Sequence, residues 1–318
     1  MRGAMRTAAS TVSAIGAQPS VYGLTIRLKT VIRTTPVVAA LRDGRVAPEG
    51  LELAFEEVTP ITKAFRIMCR DLAYDVAEMA ATTYLVAREH GKPFTALPVF
   101  LTRGLHHSAV RAREPADPKS LEGRRVGVNR GYTVTTGVWA RGILATRYGV
   151  DLDSITWVRS DVEHVAEYEP PPNVEDLESG RDLGEAVLAG ELAAAVGDVK
   201  TDGLVPLLAD AEAAAEREAR GRRTWPVNHL VVVKDEVLER DPDVAAALFD
   251  AFERAKDLYV ESGELEPLHA RAAELVGGDP LPYGVEPNRA VIEELLDHAV
   301  AQKILRRRPA VDELFAPV

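Results

Sequence analysis

Leu24, Ile26 and Leu28 alternate with Thr25, Arg27 and Lys29, the two-residue period of a strand with one buried face. Thr35 then suits a helix cap and Pro36 a first turn, with Gly44 closing the helix. A second alternating strand runs through Leu51, Leu53 and Phe55, and Ile61 to Leu72 returns to helical spacing. Tyr74 to Met79 reads as a short strand, Thr82 to His90 as a helix and Phe94 to Phe100 as a strand. Strands and helices alternating in this way specify a mainly parallel sheet covered by helices.

The charged, proline-containing stretch Glu114 to Lys119 breaks the rhythm, and a second α/β pattern starts after it. Arg124 to Asn129 is a strand, Thr135 to Tyr148 a helix and Ile155 to Val158 a strand. Leu192 to Val196 is another strand, after a helix from Leu183. The segment Glu169-Pro170-Pro171-Pro172-Asn173 must be loop, because consecutive prolines donate no backbone hydrogen bonds. Asp210 to Arg220 reads as exposed helix, His229 to Val233 as a β-prone strand, and the chain from Asp235 onward as nearly continuous helix. A helical stretch of that size needs a sheet to pack on. The economical arrangement has residues 21–112 and 226–318 as one lobe and 113–225 as a second. Two crossings then form a hinge beneath a cleft.

A length of 318 residues supports two such lobes. No apolar run approaches the roughly 18 to 20 residues of a bilayer span, so no membrane partner is expected. The excess of 49 acidic over 38 basic residues, a net charge of -11, repels a phosphate backbone and argues against nucleic acid. A small anion would need local arginines, histidines or helix N-termini to overcome that field. Cys69 is the one cysteine, so no intramolecular disulfide and no thiolate-rich metal site can form; its helical setting suits a small buried hydrophobe. The first twenty residues pair Arg2 and Arg6 with a small-residue stretch diluted by Ser10, Thr11 and Ser13. They read as a disordered tail rather than a secretion signal, and a cytoplasmic location is expected.

Arg103, His106, His107 and Ser108 begin the first crossing and His229 begins the second. Histidine titrates near neutrality, so two histidines converging on the cleft would make an acid/base pair, unless each is simply satisfied in the interior. His90, His164, His269 and His298 fall in helices or loops and read as structural. Gly131-Tyr132-Thr133-Val134-Thr135-Thr136 opens the helix that carries Trp139 and Arg141; free backbone N–H groups and hydroxyls there suit a carboxylate or merely a cap. Glu78 lies on a strand whose C-terminal end should face the cleft, the ligand edge of an open α/β sheet, and a buried salt bridge explains it equally. Phosphate-binding glycine loops and a nucleophile elbow are absent. No cofactor is demanded. The adjacent His106-His107 pair lacks helical ligand spacing, although a carboxylate and His229 could complete a divalent metal site.

Several segments together resemble the 4,5-dihydroxyphthalate decarboxylase family, related to type II periplasmic solute-binding proteins. They are Asp75 to Met79, Pro98 to Phe100, Arg103 with His107-Ser108, and Gly127-Val128 through Thr135 to Val138–Gly142. Trp225 to His229, Gly278 to Gly284, Asn288-Arg289 and Val311 to Phe315 continue the series. The resemblance implies a two-lobed α/β fold of the type II periplasmic-binding-protein kind and non-oxidative loss of carbon dioxide from a hydroxylated aromatic acid. Under it, Arg103, Arg141 and the Thr135/Thr136 helix start hold carboxylates, Tyr132, Trp139, His106 and Ser108 line the substrate, and His107 or His229, with Glu78, moves the proton. The expected partner is a small aromatic carboxylate, with self-association left open. Leu105-His106 stands where the family tends to show Phe-Arg, and the acidic pattern around Leu192 to Ala194 is incomplete, so the substrate can differ. A non-catalytic receptor for a small carboxylate and another lyase acting on a cyclic acid are the alternatives.

Overall fold

The computed structural model describes residues 25–318; the expected N-terminal tail and Leu24 lie outside the described residues. The chain first lays down β1 (Ile26–Val31), β2 (Leu51–Phe55), β3 (Val76–Ala80) and β4 (Phe94–Arg103), with helices Thr62–Asp71 and Ala81–Glu89 between them. It then crosses over and builds β5 (Val110–Ala112), β6 (Arg125–Val128), β7 (Thr156–Arg159), β8 (Val174–Asp176), β9 (Ala195–Val196) and β10 (Val205–Pro206). It returns as β11 (Val227–Lys234). The outcome is two mixed sheets, of five strands in the order β2-β1-β3-β11-β4 and six in the order β10-β5-β9-β6-β7-β8.

In the first sheet β1 pairs parallel with β2 and β3, as the alternating pattern predicts. The returning β11 enters antiparallel between β3 and β4. Val231, Val232 and Val233 are each fully buried, so this central strand reads as an unbroken apolar run rather than an alternation. Its pairing with β4 slips between His229 and Val231, opposite Thr102 and Leu97 respectively. Pro98 lies in the β4 segment spanned by that slip and cannot donate to the ladder, a common reason for a bulge beside a site.

The crossings touch: Gly104 N–H donates to the Pro226 carbonyl at 3.1 Å, and the Trp139 indole N–H donates to the Val227 carbonyl at 2.9 Å. Residues Val110–Ala112, expected to end the first lobe, pair instead with β9 and β10 in the second sheet. The crossing is therefore completed a few residues earlier than the sequence pattern suggests. The short β8 and β10 carry too few residues for any periodicity to announce them. Helix Arg289–Ala301 packs on helix Thr135–Tyr148, so part of the C-terminal helical stretch covers the second sheet. One apolar cluster runs from Phe65 and Met68 beneath the first sheet to Val126 and Trp157 in the second. Cys69 lies in it with 1% exposure, and burial pushes its thiol up to about 12.

Candidate active site

Between the sheets lies a cleft made of two recesses that share Arg33, Arg130, Asp198 and His229. The larger has a volume of about 850 Å³, within the roughly 300 to 1,000 Å³ of small-molecule sites. Its walls come from the ends of β1, β4 and β6, from the loop after β9, and from the start of β11. Strand ends converge there because parallel strands deliver the loops that follow them to one edge of a sheet.

His229 and Glu78 form the floor. Nδ1 of His229 is 2.6 Å from Oε1 of Glu78, on neighbouring strands β11 and β3. The Arg33 backbone N–H donates to the other Glu78 oxygen at 2.9 Å, and the Arg33 guanidinium lies 3.6 Å from Oε1. Burial raises the Glu78 pKa, but the hydrogen bond and charge of His229 and the charge of Arg33 outweigh it, and the carboxyl sits below its ordinary value. An ionised carboxylate on Nδ1 fixes the ring's tautomer and orientation, leaving Nε2 for a ligand. Phe65 packs edge-on against the imidazole, with ring centroids 5.1 Å apart.

Of the other expected residues, Arg103, His106, Ser108 and Thr136 line this cleft. His106 bonds through Nε2 to Asn228 at 2.8 Å and stacks parallel to Trp139 at 6.3 Å. Burial, with a further push from His107, brings the His106 pKa down to about 4 despite the Asn228 hydrogen bond. It is a neutral imidazole at neutral pH.

The structure gives the Arg103 guanidinium and the remaining expected residues protein surroundings of their own. His107 faces away from the cleft into a separate pocket behind the hinge, lined also by Ile143, Glu218 and Trp225. Its Nε2 is 3.4 Å from Glu218, so the two histidines share no cavity. Arg103 is buried and spends its guanidinium on the carbonyls of Trp225 and Pro282 and on the Asn288 side chain. It ties the two crossings to the C-terminal segment. Arg141 has 0% exposure; it donates to Gln302 and to the Tyr132 carbonyl and lies over the Tyr132 and Trp157 rings. Tyr132 and Trp139 are likewise interior. The Thr135 hydroxyl accepts from the Thr82 backbone N–H at 3.1 Å, a contact between lobes rather than a free anion seat. Most polar atoms of these groups have protein partners, since a buried charge without one is costly; Arg103 Nε, Arg141 Nη1 and His107 Nδ1 are buried without one.

Arg33, Arg130 and Asn228 were missed by the sequence reading. Arg33 follows β1 and Arg130 follows β6, so the strand-end rule that singled out Glu78 applied to both. Arg130 takes up a left-handed backbone, φ +67°, held by its N–H donating to the Ser160 hydroxyl at 2.8 Å and its carbonyl accepting from Ser160 at 3.2 Å. Among the described residues no three His, Cys, Asp or Glu side chains converge as metal ligands, and no helix is long and apolar enough to cross a membrane.

No family model matches the chain. A curated 4,5-dihydroxyphthalate decarboxylase of Comamonas testosteroni is 29% identical, across 92% of this chain and 96% of that protein. Among solved structures, the alkanesulfonate-binding protein SsuA of Xanthomonas axonopodis pv. citri superposes with TM-score 0.54 at 15% identity, over 93% of this chain and 99% of that one. The periplasmic aliphatic sulphonate-binding protein SsuA of Escherichia coli gives 0.55 at 10% identity, over 92% of each chain. The desulfurization enzyme DSZB gives 0.52 at 16% identity, over 92% of this chain and 96% of that one. These likenesses show a two-lobed fold of the type II periplasmic-binding-protein kind.

Proposed function

We propose, from the chain's full-length likeness to 4,5-dihydroxyphthalate decarboxylase, that it is a non-oxidative carboxy-lyase acting on a hydroxylated aromatic acid in the cleft. The observation that carries this reading is the His229–Glu78 pair on the cleft floor. A decarboxylase of this kind needs a proton delivered to a ring carbon and little else. A positioned acid contributes about 10² to 10⁴ in rate.

In the reaction, a hydroxyl para to the departing carboxylate supplies electrons as its phenolate. The ring carbon takes a proton from Nε2 of protonated His229 and becomes tetrahedral. The bond to the carboxylate then breaks, carbon dioxide leaves, and the bonding pair returns to the ring, restoring aromaticity. One proton is consumed for each carbon dioxide released, and His229 regains it from solvent. Glu78 holds the donor ring and stabilises the imidazolium before transfer. Neutral His106 and the Asn228 amide can bond ring hydroxyls without adding charge.

Incubation with 4,5-dihydroxyphthalate and other hydroxylated aromatic acids, read by mass spectrometry and carbon dioxide release, tests the reading. Release that disappears in His229→Ala supports it. Tight binding without turnover by the unaltered chain favours a receptor, and turnover without carbon dioxide favours another lyase.

A further inference from the structure

Most charged groups around the cleft already have partners. Arg33 donates to Thr102 at 2.8 Å and faces Glu78. Arg111 donates to the Leu204 carbonyl at 2.6 Å. Asp198 faces Lys200 at 3.6 Å, Asp161 pairs with Arg66 at 2.8 Å, and Glu57 is held by Arg42. Arg130 differs. Among the described residues its guanidinium makes no hydrogen bond or ion pair, although it is partly buried and lines both recesses together with His229. Burial lowers its pKa, opposed by the more distant charges of Asp198 and Asp161, and an arginine so placed stays charged. An unpaired charge half sheltered in the wall of the cleft, on a left-handed backbone held by local hydrogen bonds, is a feature that a bound anion would explain.

The chemistry of decarboxylation says which anion. Carbon dioxide is neutral, so an arginine paired with the departing carboxylate would lose that pairing as the bond breaks. It would stabilise the ground state more than the transition state and slow the reaction. An arginine in this cleft helps only by gripping an oxyanion that survives the reaction.

We propose that Arg130 is a specificity-determining anchor that grips, through its planar fork, a second ring carboxylate which the reaction leaves in place. The anchor rests on the decarboxylase reading for its role, though not for its binding. Arg130 stands on the second lobe and His229 on the first, so a substrate bridging them spans the cleft. Its retained carboxylate sets the register that puts the neighbouring ring carbon over Nε2. A mono-acid lacks that register.

The test uses phthalate, which has both carboxylates but no para hydroxyl and so persists in the site. Titration calorimetry on the full chain compares the unaltered protein with Arg130→Asn and Arg130→Lys. Asparagine tolerates a left-handed backbone, so the fold is kept while the cation is removed; a matched thermal melt checks this. The expected result is phthalate affinity weakened on the order of ten- to a hundredfold in Arg130→Asn, with Arg130→Lys intermediate because it keeps charge and loses the fork. With 4,5-dihydroxyphthalate, kcat/KM should fall by at least a similar factor, because losing the grip raises KM and losing the register lowers kcat. Undiminished phthalate binding in Arg130→Asn, or no phthalate binding by the unaltered chain, overturns the anchor. Phthalate binding that depends on Arg130, in a chain releasing no carbon dioxide from any dihydroxylated acid, upholds the anchor and overturns the decarboxylase reading.

Discussion

Oε1 of Glu78 lies 2.6 Å from Nδ1 of His229, and the carboxylate is 1% exposed while the imidazole borders the cleft. A buried anion behind a solvent-facing ring is the arrangement that keeps one ring nitrogen occupied and the other available. His229→Ala should therefore lower kcat by about 10² to 10⁴, and it should also lower the melting temperature, because the buried Glu78 carboxylate loses a partner; His229→Gln, which can still bond Glu78, separates the two effects. Glu78→Gln should retain part of the rate, because an amide can still orient the ring without balancing its charge. Steady-state kinetics on these variants checks this; rates within threefold of the unaltered chain in His229→Ala would remove the proton donor.

His107 offers the opposite expectation. Behind the hinge, its Nε2 faces Glu218 rather than the cleft. His107→Gln should keep kcat and KM within about threefold. A large loss of kcat alone would show that the hinge pocket and the cleft are coupled.

Arg103→Ala removes a cation whose donors satisfy two carbonyls and an asparagine among buried surroundings. Stability should fall by about 3 to 5 kcal/mol, the range for breaking a buried polar network. The folded fraction should retain ligand affinity, measured by denaturant unfolding beside a binding titration.

Thr135→Val leaves the Thr82 backbone N–H, which the Thr135 hydroxyl now satisfies at 3.1 Å, without its partner in the interior. A cost of about 1 to 3 kcal/mol follows. Thr136→Val, at the cleft wall, should cost less than about 1 kcal/mol, and urea midpoints separate the two.

Acid should unfold the protein in two stages. Burial holds His106 and His164 down to about 4, so the unfolded chain takes up protons that the folded chain refuses. That part of the stability is intact above about 6.5 and is lost as pH falls towards about 4. Glu218 and Glu294 act lower. Burial favours their neutral forms, but the nearby His107 and Arg147 at Glu218, and His298 and Arg222 at Glu294, bring both down to about 2. Their contribution is present above the ordinary value of 4.5 and is lost between there and about 2. His164→Gln should flatten the upper stage of a melting-temperature profile and Glu218→Gln the lower; a profile level from pH 7 to 4 would contradict the histidine assignment.

The sheet-and-helix rhythm was legible because burial imposes its period on the sequence: the helix from Thr135 to Tyr148 and the strand from Leu51 to Phe55 appear within the expected bounds. Glu78 was singled out from the ligand edge of its strand's sheet and His229 from the start of the second crossing, and the two meet across β3 and β11. The side-chain partners of Arg103, Arg141 and His107 were not legible in this way. A charged residue near a hinge looks identical in sequence whether it faces a cleft or bridges carbonyls behind it. Partners such as Gln302 for Arg141 lie 161 residues away, and nothing local announces them. Arg130 did carry a local signal, its place just after β6, but the mark that distinguishes it is the partner it does not have.

The reversed strand between β3 and β4 has a temporal consequence. Glu78 and His229 are 151 residues apart, and the first sheet has a gap at its centre until everything in between has been synthesised. A nascent chain ending before residue 227 exposes the facing edges of β3 and β4, both apolar and both unpaired, to other chains. Loop closure over that span is slow, so the pair on the cleft floor is assembled among the last contacts of folding, and partly made chains should depend on chaperones.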